Sequence, residues 1–482
     1  MQRKLFNLPL IISLIFPLFI NVFSQSINKK LDQYLTDYYL NKDVPSISAG
    51  IMQEGKIIWL GVKGYSDIEN KIPATKESVY RIASISKAIT AVAIMQLVEQ
   101  GKIYLDEDAR KYIPYFPAKK WKFTIRQLLN HTSGIRNYKS TGEFESKEFF
   151  QSTREAINYL SKDSLSYEPG TRYSYTTLGY NLLAAIIENV SGISFLEYLK
   201  KNIFEPSDMK STFPDFQRNI IPNRVKGYAK NNYRALQNSA LADLSIKIPG
   251  GGLLSSAEDL LKFSYSLLEE KLITKSTLGL IIEPTRLKNG KTINYGLGYS
   301  FGTDESGKRF FSHAGTGTGF SSLLIIYPED KISAVNLLNI RDRNLGNPAN
   351  DLISILLGKT FEKPKKSLAD ILLNITLNHS IDSGLVAYRI YKPDTINYNS
   401  TKEELKLFGY DLINTNHRAD AIRLFKMLTG EYPDYPDAYI GLGDAYYKDG
   451  NKGLSLKSFR LALRLNPVNS YAAEMVKKLG GI

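Results

Sequence analysis

Apolar residues recur at helical spacing from Ile27 to Leu40, which predicts an amphipathic helix. The period then shortens. "SISAGIMQEGKIIWLGVKGYSD", starting at Ser46, alternates like two strands joined by a turn at Glu54-Gly55. From Ser84 to Gln100 the helical spacing returns at Ile85, Ala88, Ile89, Val92, Ala93, Met95 and Leu97, and Gly101 ends that helix. A mostly helical middle is expected as far as Leu268. Strand texture resumes in "INYGLGYSFG", "RFFSHAG", "FSSLLIIYP" and "ISAVNLLN", and a helix follows over Ala349–Leu357. Strands at both ends with helices between them predict an α+β unit. Its two ends would close one sheet, a helical lobe would be inserted, and a site would lie at the junction.

Beyond Phe361 the texture changes again. "FEKPKKS" reads as a linker, and almost everything after it has helical periodicity. Two stretches repeat at a spacing of 34 residues: Gly409 aligns with Gly443, Phe425 with Phe459, and Pro433 with Pro467. Ala421 in the first unit, with Tyr439, Tyr446 and Ala462 in the second, occupies further repeat positions. This pattern resembles tetratricopeptide helix pairs, over Lys402–Tyr435 and Pro436–Asn469, with Leu368–Tyr391 as a degenerate pair before them and a helical cap from Ser470. The resulting organisation is a leader over residues 1–24, a first domain over 27–360, a linker with a degenerate pair over 361–401, and repeats over 402–482. A stack this short needs a neighbouring domain or a protein partner to cover its faces.

The leader is read from Arg3 and Lys4, the apolar run Leu5–Ile20, and Val22–Ser24 before a cut ahead of Gln25. The run contains Pro9 and Pro17 and falls short of the ~20 residues that span a bilayer, so a periplasmic or secreted protein without a stable membrane span is expected. The chain has 482 residues and no cysteine, which excludes disulfides and thiolate metal sites. Its net charge is +14, but the lysines are scattered and interleaved with acids. That is a solvated surface, not a nucleic-acid stripe.

Screening for chemistry removes most options. None of the four histidines, His131, His313, His379 and His417, forms a close ligand pair, and no cofactor or metal is implied. "GTDESGKR" (Gly302–Arg309) nearly matches a phosphate loop, but Arg309 stands at the metal-holding position and no helix follows, so it reads as a turn between strands. Ser84 and Lys87 remain. Ser-x-x-Lys also occurs at Ser26–Lys29 and Ser207–Lys210, and a serine at a helix start is commonly a cap. At a helix start, however, unpaired N–H groups favour developing negative charge, and a lysine three residues on shares the serine's face.

"SISK" is followed, in order, by "TIRQLLNHTSGI" (Thr124–Ile135), "EPGTRYSY" (Glu168–Tyr175), "GGGLLSSAEDLLKF" (Gly250–Phe263) and "HAGTGTGF" (His313–Phe320). In these segments, from about Ile27 to Lys359, the chain resembles the serine β-lactamase-related hydrolases, a family that includes class C β-lactamases, D-alanyl-D-alanine carboxypeptidases, D-aminopeptidases and esterases. The resemblance implies a β-lactamase/transpeptidase-like antiparallel sheet with a helical lobe. It implies Ser84 as the acylated nucleophile, Lys87 as its partner and Tyr175 as general base. Thr177 stands where the family usually has asparagine, and His313-Ala314-Gly315 where it usually has Lys-Thr-Gly. The implied oxyanion hole is the backbone N–H of Ser84 and of Thr316. His131 is given no catalytic role and reads as the end of a helix before a Thr-Ser-Gly turn.

Elementary electrostatics adds three expectations. A phenol beside a lysine ammonium should have its pKa lowered toward working pH. His313 should be only partly charged near neutrality. Gly315 should let a strand edge approach the substrate closely. Lacking a permanent cation at residue 313, the chain reads as an exported serine hydrolase of a D-amino-acid peptide or an ester, with cell-wall peptide a natural substrate. Two alternatives stand beside it: a β-lactamase or penicillin-binding protein proper, and a non-catalytic protein that binds a partner through its repeats.

Overall fold

The computed structural model describes residues 12–480. The leader read over residues 1–24 begins outside the described residues. Residue contacts divide the chain into two units: residues up to Ala229 with Asn238–Glu362, and Lys230–Gln237 with Lys363 onward.

The first unit opens with helix α1 (Ile12–Lys42), whose second half includes the amphipathic stretch. Strands β1 (Ser46–Gln53) and β2 (Lys56–Asp67) follow, joined where Glu54 and Gly55 both take positive φ, as a tight hairpin turn requires. A two-residue strand β3 (Ile72–Pro73) edges the sheet. The chain then leaves the sheet through α2 (Ile85–Glu99), α3 (Ile125–Leu129), α4 (Gly179–Ser191) and α5 (Ala257–Leu268). It returns as β4 (Ser300–Thr303), β5 (Arg309–Gly317), β6 (Phe320–Tyr327) and β7 (Ile332–Leu338), and ends in α6 (Pro348–Leu356). The sheet order is β4-β5-β6-β7-β1-β2-β3. The first strand pairs antiparallel with the last, Ile47 opposite Leu338 and Gln53 opposite Ile332, so the two ends of the unit close one sheet.

Central strands β1 and β7 are buried on both faces. Ile47, Ala49, Ile51, Ala334 and Leu338 pack toward α1 and α6 with Leu31, Leu35 and Leu352. Val335 and Leu337 face the other way, toward α2 and α5. Helix α2 is buried on every side from Ile85 to Leu97, which is why its apolar residues do not keep to a single stripe. The "GTDESGKR" segment is the turn between β4 and β5.

Two expectations change. The middle of the chain is not mostly helical. It contains short strands that act as fasteners: Tyr80–Arg81 pairs with Leu253–Ser255, which ties the stretch before Ser84 to the one after Gly250. "INYGLGYSFG" is not one strand either. Gly298 (φ 89°) lies so near α2 that a Cβ there would sit 2.5 Å from the Ala91 methyl, and the strand starts only at Ser300.

The second unit is helical: α7 (Leu368–Asn378), α8 (Ile381–Tyr391), α9 (Lys402–Asn414), α10 (Arg418–Glu431), α11 (Pro436–Lys448), α12 (Lys452–Leu465) and α13 (Ser470–Lys478). The 34-residue spacing has a steric cause. The Phe425 ring occupies the space that a Cβ on Gly409 or Gly441 would need, and Phe459 lies 2.9 Å from the Cβ position of Gly443. Among the described residues, no single helix is long and apolar enough to cross a membrane. Because Phe425 is fully buried between two helices, Phe425→Ala is expected to lower the stability of the helical unit by about 3–5 kcal/mol in urea unfolding. A loss below about 1 kcal/mol would show that the ring is not the wedge described.

Candidate active site

Ser84 is the residue preceding α2, and Ala83 before it is held at φ 45°, an unusual conformation for a residue with a side chain. The turn is locked by Ser86, whose Oγ donates to Ala83 O at 2.7 Å and accepts the Leu253 N–H at 3.2 Å. Ser84 itself makes no side-chain cap, so its hydroxyl is not spent on the helix end. Lys87 lies one turn on, wholly buried, with Nζ 3.1 Å from Ser84 Oγ, 3.2 Å from Thr177 Oγ1 and 2.5 Å from Gly250 O. It also sits 4.8 Å from the centre of the Tyr175 ring. Three segments thus meet around one amine.

The electrostatics reverse one expectation. Burial, with a smaller push from Lys247, drives the Lys87 pKa well below its ordinary value. Burial also raises that of Tyr175, and the Ser84 hydroxyl beside it only partly offsets this. Desolvation thus works against both the ammonium and the phenolate.

His313 is also corrected. Burial and the neighbouring Lys87 hold its pKa down to about 3, so the ring is neutral, not partly charged, near pH 7. Neither nitrogen is left for a substrate. The Thr176 N–H donates to His131 Nδ1 at 3.2 Å, which leaves His131 Nε2–H to donate to Tyr295 Oη at 3.2 Å. Tyr295 O–H then donates to His313 Nε2 at 3.1 Å, and His313 Nδ1–H to Ala314 O at 2.7 Å. Each group in this relay satisfies the next, and the His131 ring packs 4.2 Å from that of Tyr175. His131 and Tyr295 therefore position Tyr175, a role that the sequence did not reveal.

Gly315 is corrected in the same way. A Cβ there would overlap Ile82 O and Ser322 Oγ, so the glycine serves the close approach of β5 to the chain before Ser84. The open cleft is lined by Ser84, Thr177, Gly250, Gly251, Thr316 and Gly317, with Arg81, Tyr138, Phe144, Lys247 and Thr318 around them. Thr177 and Thr316 line the cleft beside Ser84, whereas His313 and Gly315 are not among its lining residues. Lys247 went unnoticed in the sequence because a lone lysine in "SIKIPGGG" carries no periodic signal.

Removing the middle of the relay tests it. Tyr295→Phe strands the Nε2 atoms of both histidines in the interior and should cost about 1–3 kcal/mol in unfolding free energy. Imidazole 15N NMR of the unsubstituted protein should show His131 and His313 as single neutral tautomers at pH 6. A titration of either near its ordinary 6.5 would contradict the network.

Comparison with known proteins agrees with this geometry. Residues 27–357 match the beta-lactamase family. The mitochondrial serine beta-lactamase-like protein LACTB of Bos taurus is 30% identical over 59% of this chain and 69% of its own length. Penicillin-binding protein 4* of Bacillus subtilis (strain 168) is 31% identical over 59% of this chain and 66% of its own. Among solved structures, the octameric penicillin-binding protein homologue from Pyrococcus abyssi superposes with a TM-score of 0.60 at 28% identity, covering 71% of this chain and 81% of that one. The D-amino acid amidase from Ochrobactrum anthropi SV3, complexed with L-phenylalanine amide, shares the fold with a TM-score of 0.60 at 23% identity, over 69% and 98% of the two chains. The chain belongs to the beta-lactamase family and is a serine hydrolase of the acyl-enzyme kind.

Proposed function

We propose that Ser84 is the nucleophile, Lys87 its general base and Tyr175 the acid that returns the proton, in the hydrolysis of a D-amino-acid peptide or an ester. The observation that carries this is the uncapped Ser84 hydroxyl 3.1 Å from a buried lysine amine. A neutral amine has two N–H donors and one lone pair. With its donors directed to Gly250 O and Thr177 Oγ1, the lone pair is left for the Ser84 proton. Ser84 Oγ then attacks the acyl carbon, and backbone N–H groups of Ser84 and Thr316 receive the oxyanion, an interaction commonly worth about 3 kcal/mol for one donor. Once Lys87 holds the proton, its charge beside Tyr175 makes the phenol a better acid. Tyr175 gives its proton to the leaving group and regains one from Lys87. Water reverses the sequence to release the acid.

The neutral His313 supports a peptide or ester whose carboxylate is not held at residue 313, where a β-lactamase proper would hold it. The shared fold of the D-amino acid amidase points the same way. Export to the periplasm is proposed from the charged and then apolar start of the chain. The helix pairs α9–α10 and α11–α12 are proposed as tetratricopeptide-like units for a protein partner, on the strength of the repeated glycine–phenylalanine wedge.

Purified protein incubated with a fluorophosphonate is expected to carry one adduct, on the Ser84 peptide, in mass spectrometry. Ser84→Ala should abolish it, and Lys87→Met should slow it by about 10²–10⁴-fold, as for loss of a general base. Labelling that survives Ser84→Ala would refute the assignment. A fluorescent penicillin that labels the same peptide and is rapidly released would favour the β-lactamase reading.

A further inference from the structure

The Ser84 cleft carries an excess of positive charge. Arg81 and Lys247 both line it, and among the described residues that line it there is no acid. The two cations differ in what they already hold. Arg81 Nε is 2.5 Å from Asp215, and its other nitrogens donate to Thr318 O at 3.3 Å and Ala242 O at 3.4 Å, so it is a structural ion pair. Among the described residues, Lys247 Nζ has one hydrogen-bond acceptor, the carbonyl of Phe144. The rest of its surroundings is aromatic: Nζ lies 4.3 Å from the Phe144 ring centre and 5.2 Å from that of Tyr138. Lys247 is only 4% exposed, so an ammonium with three donors is held in a dry wall with two of them unclaimed.

A second group in the same wall is also unclaimed. Thr318 is 3% exposed, and its Oγ1 is buried without a hydrogen-bond partner. Buried hydroxyls are ordinarily paired, so an orphan at the edge of a cleft marks a place for something to bind. A cation and a free hydroxyl donor in an acid-free wall suit a carboxylate.

We propose that Lys247 and Thr318 form an anion subsite of the Ser84 cleft, so that the hydrolase acts on acyl compounds bearing a carboxylate, which Lys247 holds in place of residue 313. This rests on the serine-hydrolase reading of Ser84. The ammonium rests against the carbonyl and ring of Phe144. A bound carboxylate takes the spare donors of Lys247, and the Thr318 hydroxyl supplies a further one.

The charged groups around Lys247 make the subsite sensitive to pH. Burial lowers its pKa to about 7, and Arg81 and Arg341 push the same way against Glu145 and Asp243. Lys87, the other amine in range, is itself pushed well below its ordinary value by burial. The carboxylate preference should therefore be full below about 7 and fade above it. A step shared by all substrates, such as the titration of Lys87, cancels in a ratio of two rates.

The test uses the full chain and two sets of fluorophosphonates that differ only at the end of the tether: a free carboxylate in one, its methyl ester in the other, across a range of tether lengths. The readout is the ratio of their labelling rates on the Ser84 peptide. At the best tether the carboxylate probe should label about tenfold faster, the effect of one charge-assisted hydrogen bond. That ratio should fall toward one in Lys247→Met and, less fully, in Thr318→Val. In the unsubstituted protein it should decline as pH rises past about 7, whereas Lys247→Arg should keep it at high pH. A ratio near one at every tether length, or one that Lys247→Met leaves unchanged, overturns the subsite while Ser84 labelling stands. Absence of any Ser84 labelling overturns the hydrolase reading and the subsite with it.

Discussion

Burial of one amine organises the first unit. Lys87 is sealed from water at the start of a helix that is itself buried on all sides, and an ammonium there would be costly. The amine is tolerated because three partners from three segments converge on it: Ser84 Oγ, Thr177 Oγ1 and Gly250 O. Each must be delivered accurately, and much of the local architecture can be read as that delivery. The Tyr80–Arg81 strand fixes the approach to Ser84 by pairing with Leu253–Ser255. Ser86 locks the turn from below, and Gly315 lets β5 lie against Ile82. The same desolvation that makes the amine costly as a cation makes it useful as a base.

Around this centre the histidines have a supporting part. His131 and His313 are joined through Tyr295 into a neutral relay with one direction of donation, and the ring of Tyr175 rests against it. A charged histidine there would repel an ammonium on Lys87 at the moment the reaction creates one. Keeping both rings neutral leaves Tyr175 as the group that responds when Lys87 gains its proton. Positive charge for a substrate is placed instead on another wall, at Lys247, where it does not contact the reacting atoms.

Much of the fold was legible in the chain. Period-2 segments at both ends gave the sheet and its closure, because strands buried on one or both faces leave a strong apolar signature. The helical spacing of apolar residues from Ile85 to Leu97 marked the helix that carries Lys87. The 34-residue recurrence of Gly409 and Phe425 located the helix pairs, since a ring needs a missing Cβ opposite it. What the chain concealed were the fasteners of two or three residues in the middle, too short for any period, and the glycine at Gly298 that interrupts a strand to approach α2. At the site, Ser84, Lys87, Tyr175, Thr177 and Thr316 could be found from ordered motifs. The roles of His131, Tyr295 and Lys247 could not, because they depend on burial and on partners that lie from 18 to 164 residues away along the chain. The protonation states of Lys87, Tyr175 and His313 were misjudged for the same reason: sequence shows which charges are neighbours and not how dry their surroundings are.

The central claim is that buried, neutral Lys87 is the base for Ser84. The most direct measurement is the pH dependence of Ser84 labelling by a neutral fluorophosphonate. The account predicts a rate that rises with a midpoint well below the ordinary lysine value of 10.5. A rate that climbs only as pH nears the ordinary tyrosine and lysine values, 10.0 and 10.5, would contradict it.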